Sequence, residues 1–139
     1  MTLRNYQGSC HCGASRYEAE LDLAAGTNRC NCSFCSRARA WFAFVPAGRF
    51  RLVREDALTD YRWTPPSMAE PFLTYRFCSR CGVRLFATGD GPQMGGRFYA
   101  VHIPTLEGVD ADELASAPIH YIDGAHDRFD QPPADTRAM

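Results

Sequence analysis

The chain has 139 residues with a formal net charge of −1, and 45% of its residues are hydrophobic and 22% charged. These values are typical of one soluble globular domain, and the charge balance gives no electrostatic basis for binding nucleic acid or an anionic membrane surface. All 15 basic side chains are arginine, which excludes a lysine Schiff base. No apolar run reaches the roughly 18 residues of a membrane-spanning helix, and residues 1–9 lack the apolar region of a signal peptide. We therefore expect a cytoplasmic, reducing location without membrane contact.

Short strands dominate the predicted secondary structure. Alternating or apolar segments bounded by turn residues predict strands, in chain order, at residues 14–21, 40–45, 49–53, 58–63, 73–77, 83–88, 97–103 and 119–122. A spacing of roughly 8–12 residues between such segments is typical of an all-β domain. We therefore predict a mainly β fold of short antiparallel strands with little helix.

Two segments have weak helix signals. Residues 33–39 predict one helical turn, with Ser33 or Asn31 as its cap. Residues 110–115 predict a short helix, because acidic side chains lie in its first turn, where the helix dipole favours them. Neither segment is long enough to change the predicted fold class.

The remaining segments are predicted turns and loops. Residues 25–28 predict a turn that leads directly into a cluster of cysteines, and the glycine-dense residues 89–96 predict a mobile loop. The composition gives no sign of a linker or an internal repeat. We expect one domain over residues 1–129, followed by a flexible tail over residues 130–139.

The seven cysteines fall into three groups. Clustered cysteines in a reducing compartment are more often metal ligands or catalytic thiols than disulfides. An odd number also excludes complete disulfide pairing within a monomer. The three groups are Cys10 with Cys12, Cys30 with Cys32 and Cys35, and Cys78 with Cys81.

The two outer pairs have the pattern of metal knuckles. A glycine, Gly13 or Gly82, directly follows the second cysteine of each pair, where the tightly curled backbone of a knuckle favours a residue that tolerates positive φ. Two knuckles together make a closed tetrahedral zinc site. The alternative is that these cysteines are small buried apolar residues. The predicted ligands are Cys10, Cys12, Cys78 and Cys81.

The central trio then has no fourth cysteine. Three protein ligands and one exchangeable position are typical of catalytic rather than structural zinc, and a thiol bound at that position loses its proton near neutral pH. Three alternatives remain open: a nearby histidine completes the shell, the trio is a redox or iron–sulfur site, or it has an inert role. The predicted open site consists of Cys30, Cys32 and Cys35.

Three arginines bracket the central cluster: Arg29, Arg37 and Arg39. A small thiol ligand that carries carboxylates can dock on guanidinium groups of this kind. The alternative for each of them is an ordinary solvated surface residue.

Three motifs together resemble a known family. They are GSCHCG at residues 8–13, CNCSFC at residues 30–35 and FCSRCGVRLF at residues 77–86. In this order and spacing they resemble the glutathione-dependent formaldehyde-activating enzyme (GFA) family, which includes the centromere protein V type. The resemblance extends from about Tyr6 to Asp123.

The resemblance implies a β-tent fold with two zinc sites. Cys10, Cys12, Cys78 and Cys81 would hold a structural zinc, and the trio of Cys30, Cys32 and Cys35 would form the active site. The implied activity is carbon–sulfur lyase chemistry that joins glutathione to formaldehyde as S-(hydroxymethyl)glutathione. The second hypothesis is a non-enzymatic zinc module that carries glutathione or binds a protein.

Overall fold

Ten short β-strands and two short α-helices make up the regular structure of residues 2–139, the part of the chain that the computed structural model describes. The strands are β1 (Arg4–Ser9), β2 (Ser15–Leu21), β3 (Thr27–Cys30), β4 (Trp41–Pro46), β5 (Phe50–Glu55), β6 (Leu58–Arg62), β7 (Leu73–Cys78), β8 (Arg84–Gly91), β9 (Gly96–His102) and β10 (Ile119–Ile122). The helices are α1 (Ser33–Ala38) and α2 (Ala111–Ser116). Across residues 2–139, no helix is long and apolar enough to cross a membrane. The mainly β prediction is confirmed.

The strands form two sheets. One has three strands in the order β1-β2-β5, and the other has seven in the order β10-β3-β4-β9-β8-β7-β6. Neighbouring strands are antiparallel, as expected, with one exception: β10 and β3 are parallel, with Ile122 opposite Cys30. This parallel pair places the end of β10 beside the first cysteine of the central trio.

Aromatic rings join the two sheets in a common core. Phe50 of the small sheet stacks on Tyr99 of the large sheet with ring centroids 3.8 Å apart. Tyr17 stacks on Phe50 at 5.3 Å and meets the edge of Phe86 at 6.0 Å. Burial of an aromatic ring of this kind stabilises the fold by about 1.5–3 kcal/mol. The packing of the two sheets therefore sets the relative positions of two turns that contain cysteines, the β1–β2 turn of the small sheet and the β7–β8 turn of the large sheet.

The sequence pattern does not predict β1 and β3. Strand β1 is mostly polar, and its buried positions are Tyr6 and Gly8. The turn expected at residues 25–28 is wrong, because a 3-10 turn at Leu23–Ala25 comes first and β3 begins at Thr27. Strand β3 pairs with the distant strand β10, which local alternation does not reveal. Strand β1 pairs with its neighbour β2, and its mostly polar sequence hides the strand signal.

The long mobile loop expected at residues 89–96 is replaced by a hairpin. Strand β8 continues to Gly91, which pairs with Gly96 at the start of β9. A short 3-10 turn, Pro92–Met94, connects them. Glycines within strands weaken the strand signal, which explains why the pattern indicated a loop.

Residues 130–139 contact the domain at two points. The carbonyl of Gln131 accepts a hydrogen bond from the amide of Asp123 at 3.0 Å, and the carbonyl of Ala138 accepts one from Arg39 at 2.8 Å. The domain limits and the flexible tail stay predictions.

Candidate metal and thiol-binding site

Two distant turns bring four cysteines into one compact group, named here the four-cysteine group. Cys10 and Cys12 lie in the turn between β1 and β2, whereas Cys78 ends β7 and Cys81 lies in the turn before β8. Their Sγ atoms all lie within 4.8 Å of one another, and those of Cys12 and Cys78 are 3.6 Å apart. The structure therefore brings together the four cysteines that the sequence assigns to one site, in a group that could hold a metal ion.

The backbone around the four-cysteine group has the curled conformation of a metal knuckle. Gly13 and Gly82 have φ values of +82° and +77°, which glycine adopts without strain. The amides of Cys81 and Arg80 donate to the sulfur of Cys78 at 3.5 and 3.4 Å. These amides lower the pKa of the Cys78 thiol and so favour the thiolate, which is the form that binds a metal.

Three cysteines form a second compact group, named here the three-cysteine group, where β3 leads into α1. Cys30 ends β3, Cys32 caps α1 and Cys35 lies in its first turn, with all three Sγ atoms within 4.8 Å of one another. Cys32 Sγ accepts a hydrogen bond from the amide of Cys35 at 3.3 Å. The expected cap by Ser33 or Asn31 is therefore wrong, because a sulfur takes this position.

Hydrogen bonds among the sulfurs make the three thiols unequal. The Cys30 thiol, followed by the Cys35 thiol, lowers the pKa of Cys32 far below its ordinary value. The hydrogen bond with Cys32 raises the pKa of Cys30, and those with Cys30 and then Cys32 raise the pKa of Cys35, because a thiol that donates to a thiolate keeps its proton. A divalent cation among the sulfurs would supply the positive charge that allows all three to ionise. The donor set therefore fits a thiophilic metal ion such as zinc.

Aromatic rings form one side of the three-cysteine group, named here the aromatic wall and consisting of Phe34, Tyr61 and Tyr75. The ring of Phe34 stacks on Tyr75 at 4.0 Å and on Tyr61 at 5.6 Å. Tyr61 and Tyr75 are opposite each other in β6 and β7. Burial, and after it the negative charge of Cys35, raise the pKa of Tyr75, so its hydroxyl stays protonated at neutral pH.

Arg84 is the arginine that the structure places beside Cys35. Its guanidinium lies 5.7 Å from the ring centroid of Phe34 and donates to the carbonyl of Ala38 at the end of α1. Burial lowers the pKa of Arg84, and the negative charge of Cys35 opposes this shift. The sequence pattern misses Arg84, because an arginine in an alternating strand usually faces solvent.

The three arginines expected to bind a ligand have partners elsewhere. Arg29 lies over the ring of Trp41, 4.9 Å from its centroid. Arg37 donates to a backbone carbonyl within α1 at 2.8 Å, and Arg39 donates to the carbonyl of Ala138 at 2.8 Å. Their role in docking a thiol ligand stays a prediction.

A turn near the C-terminus forms another side of the three-cysteine group. Asn31 Nδ2 donates to Asp123 Oδ1 at 2.9 Å, and the amide of Ala125 donates to Asn31 Oδ1 at 2.9 Å. His126 Nδ1 also donates to the Asp123 carboxylate, at 2.9 Å. The sequence pattern misses Asp123 and places His126 near the tail, because 92 residues separate Asn31 from Asp123 and no local signal links them.

The chain matches a protein family over most of its length. The sequence profile described as "Glutathione-dependent formaldehyde-activating enzyme" matches residues 5–122. The chain belongs to this family. The matched region includes both cysteine groups and confirms the resemblance seen in the three motifs.

A crystal structure of a Rhodobacter sphaeroides protein is similar to this member of the GFA family. The two chains share 32% sequence identity, and the TM-score is 0.63. The similar region covers 81% of this chain and 98% of that chain. The two proteins therefore have similar folds over nearly the whole of the Rhodobacter chain.

Proposed function

We propose that this GFA-family protein is a zinc-dependent enzyme of the carbon–sulfur lyase type, similar to S-(hydroxymethyl)glutathione synthase. It joins a small thiol, glutathione or a close relative, to formaldehyde or a related aldehyde. The main support for the proposal is the different size of the two cysteine groups: one group has four sulfurs, and the other has three. A tetrahedral zinc with three protein ligands keeps one position for an exchangeable ligand.

The two cysteine groups have separate roles in this proposal. The four-cysteine group holds a structural zinc, and Cys30, Cys32 and Cys35 hold a second one. A zinc ion at the three-cysteine group would hold an incoming thiol at its fourth position and lower the pKa of that thiol. The positive charge of Arg84 offsets part of the negative charge of the Cys35 sulfur. The stacked rings of the aromatic wall cover one side of the group.

The proposed reaction forms one carbon–sulfur bond. The thiol sulfur attacks the carbonyl carbon of the aldehyde, and the electron pair of the carbonyl double bond moves to oxygen. The proton that the thiol loses ends on that oxygen, so no oxidant or reductant is needed. The addition also proceeds without a catalyst, and a catalyst must therefore exceed the uncatalysed rate.

A titration of the cobalt-substituted protein with glutathione tests the proposal. We expect glutathione to change the thiolate-to-cobalt absorption band, because a fourth sulfur joins the metal. S-methylglutathione is the matched control ligand, since it lacks the free thiol, and should leave the band unchanged. A Cys32→Ser variant should lose the response. An unchanged band in the wild-type protein with glutathione would contradict thiol binding at this group.

The same titration, together with a measurement of the rate of adduct formation, separates the enzyme from the alternative of a non-enzymatic zinc module. A changed cobalt band together with a rate of adduct formation equal to the uncatalysed rate would support a glutathione carrier. A module that only binds a protein would give neither a changed band nor a faster rate. The enzyme requires both.

A further inference from the structure

The turn at residues 123–126, named here the C-terminal turn, lies directly against the three-cysteine group. A Cβ atom on Gly124 would lie 2.6 Å from Cys30 Sγ and 3.0 Å from Cys32 Cβ. No side chain larger than hydrogen fits at that distance without a shift of the sulfur or the backbone. The backbone of the C-terminal turn therefore touches the cysteines that the proposed function uses.

Several hydrogen bonds hold the C-terminal turn in this position. The amide of Asn31 donates to the carbonyl of Ile122 at 3.2 Å, which extends the parallel pairing of β3 and β10 by one residue. The Asn31 side chain both donates to Asp123 and accepts from the amide of Ala125. Asp123 is only 3% exposed. The position of the turn relative to Cys30 is therefore fixed by the residue that follows Cys30.

Asp123 and His126 form an oriented pair within the turn. His126 Nδ1 lies 2.9 and 3.0 Å from the two carboxylate oxygens of Asp123. The hydrogen bond from Asn31, and after it that from His126, hold the pKa of Asp123 below its usual value, with Arg128 as a further positive charge nearby. Because a carboxylate only accepts, Nδ1 is the donor of this hydrogen bond, and Nε2 is the ring nitrogen left for a second partner. The His126 side chain is 68% exposed, so a small thiol can reach it.

The other three histidines do not have this arrangement. His102 is part-buried, and burial, followed by the charge of Arg84, lowers its pKa to about 4. The ring of His120 lies against Gly26, where an added Cβ would be 2.4 Å from its Nε2. His11 lies between two ligands of the four-cysteine group. Of the four histidines, His126 alone combines a carboxylate partner with an exposed ring two residues from Gly124, whose backbone touches the three-cysteine group.

We propose that His126, oriented by Asp123, accepts the proton of the incoming thiol and returns it to the carbonyl oxygen. This inference rests on the proposed function and names the acid–base group of that reaction. His126 Nε2 takes the S–H proton as the thiol becomes a thiolate. After the carbon–sulfur bond has formed, the protonated ring gives this proton to the oxygen of the adduct. The ring is neutral again at the end, so the step needs no further reactant.

Rate measurements on the zinc-loaded full-length chain, with glutathione and formaldehyde as probes, test this inference. Exchange NMR gives the rate of adduct formation, from which the uncatalysed rate is subtracted. We expect His126→Ala and His126→Gln to lower the remaining rate about 100-fold, the lower range for loss of a general acid–base group. His120→Gln is the matched control and should keep the wild-type rate. Added imidazole should restore part of the rate in His126→Ala and should not change the wild-type rate.

The cobalt titration separates the possible outcomes. His126→Ala should show the wild-type change of the cobalt band with glutathione, because thiol binding does not depend on the ring. A wild-type rate in His126→Ala would overturn the inference and leave the proposed function standing. A lost rate that imidazole does not restore would indicate a structural role and would also overturn it. If the wild-type protein shows neither a band change nor a faster rate, the proposed function fails and the inference fails with it.

Discussion

The two cysteine groups use the same ligand atom in opposite structural settings. The four-cysteine group joins turns that are far apart in the chain, since 66 residues separate Cys12 from Cys78. The three-cysteine group lies within residues 30–35 and closes no long loop. We therefore predict that a metal bound in the first group stabilises the fold, whereas one bound in the second exchanges ligands without loss of the fold.

Loss of the four-cysteine group should have the largest effect on stability. Cys78 is 0% exposed and fixes the end of β7. We expect Cys78→Ser to lower Tm by more than about 10 °C or to abolish cooperative unfolding, because metal binding at a structural site contributes folding free energy. Thermal circular dichroism measures this effect. Ser79→Ala, at the exposed neighbouring position, is the control, and a Cys78→Ser protein as stable as this control would contradict the structural role.

Loss of the three-cysteine group should abolish the proposed activity while the fold remains. We expect Cys32→Ser to retain one zinc per chain in native mass spectrometry and to unfold within about 3 °C of the wild-type Tm, since its contacts are local. Its rate of adduct formation should equal the uncatalysed rate. Ser36→Ala in the same helix serves as the control. A Cys32→Ser protein that unfolds as readily as Cys78→Ser would remove the distinction between the two groups.

A mild chelator should distinguish the two groups without any mutation. We expect two zinc ions per chain, with the ion at Cys30, Cys32 and Cys35 removed first because this group has one fewer sulfur ligand. Native mass spectrometry at increasing chelator concentration measures the order of loss. A single, tightly held zinc in the untreated protein would contradict the open site.

Substitution of Gly124 should weaken the three-cysteine group alone. An added methyl group would lie 2.6 Å from Cys30 Sγ, and overpacking of this kind costs about 1–3 kcal/mol. We therefore expect Gly124→Ala to weaken zinc binding there about 5- to 150-fold, as measured by competition with a chromophoric chelator. Gly48→Ala is the matched control, because nothing lies within 4 Å of its added Cβ. Equal zinc affinity in the two variants would show that the C-terminal turn does not constrain the cysteines.

The smallest effect concerns His102, close to Arg84. Burial lowers the pKa of this histidine from 6.5 to about 4, so the unfolded chain takes up a proton at higher pH than the folded chain does. The stability from neutral His102 is therefore complete above about pH 6.5 and is lost as the pH falls towards 4. NMR titration of the ring should give a midpoint near 4, and a midpoint near 6.5 would show that the ring is solvated.

Local spacing was sufficient to predict the grouping of the seven cysteines and most strands. The glycines after Cys12 and Cys81 indicated a tight backbone, and their positive φ values confirm it. The alternation of residues 14–21 identified β2, because one face of this strand is buried. The pairing of Gly91 with Gly96 had no such signal in the sequence, because a glycine-rich segment has the same composition in a hairpin as in a loop.

The sequence by itself determined the family, the mainly β fold and the division of seven cysteines into groups of four and three. These features depend on residue type and short spacing, which are visible in the chain. Only the tertiary structure placed Arg84 beside Cys35 and the C-terminal turn against Cys30. The second contact depends on the parallel pairing of β10 with β3 at the edge of the large sheet. Such pairing is decided by the packing of the whole domain. When two segments are far apart in the chain, the sequence of neither segment shows that they are in contact.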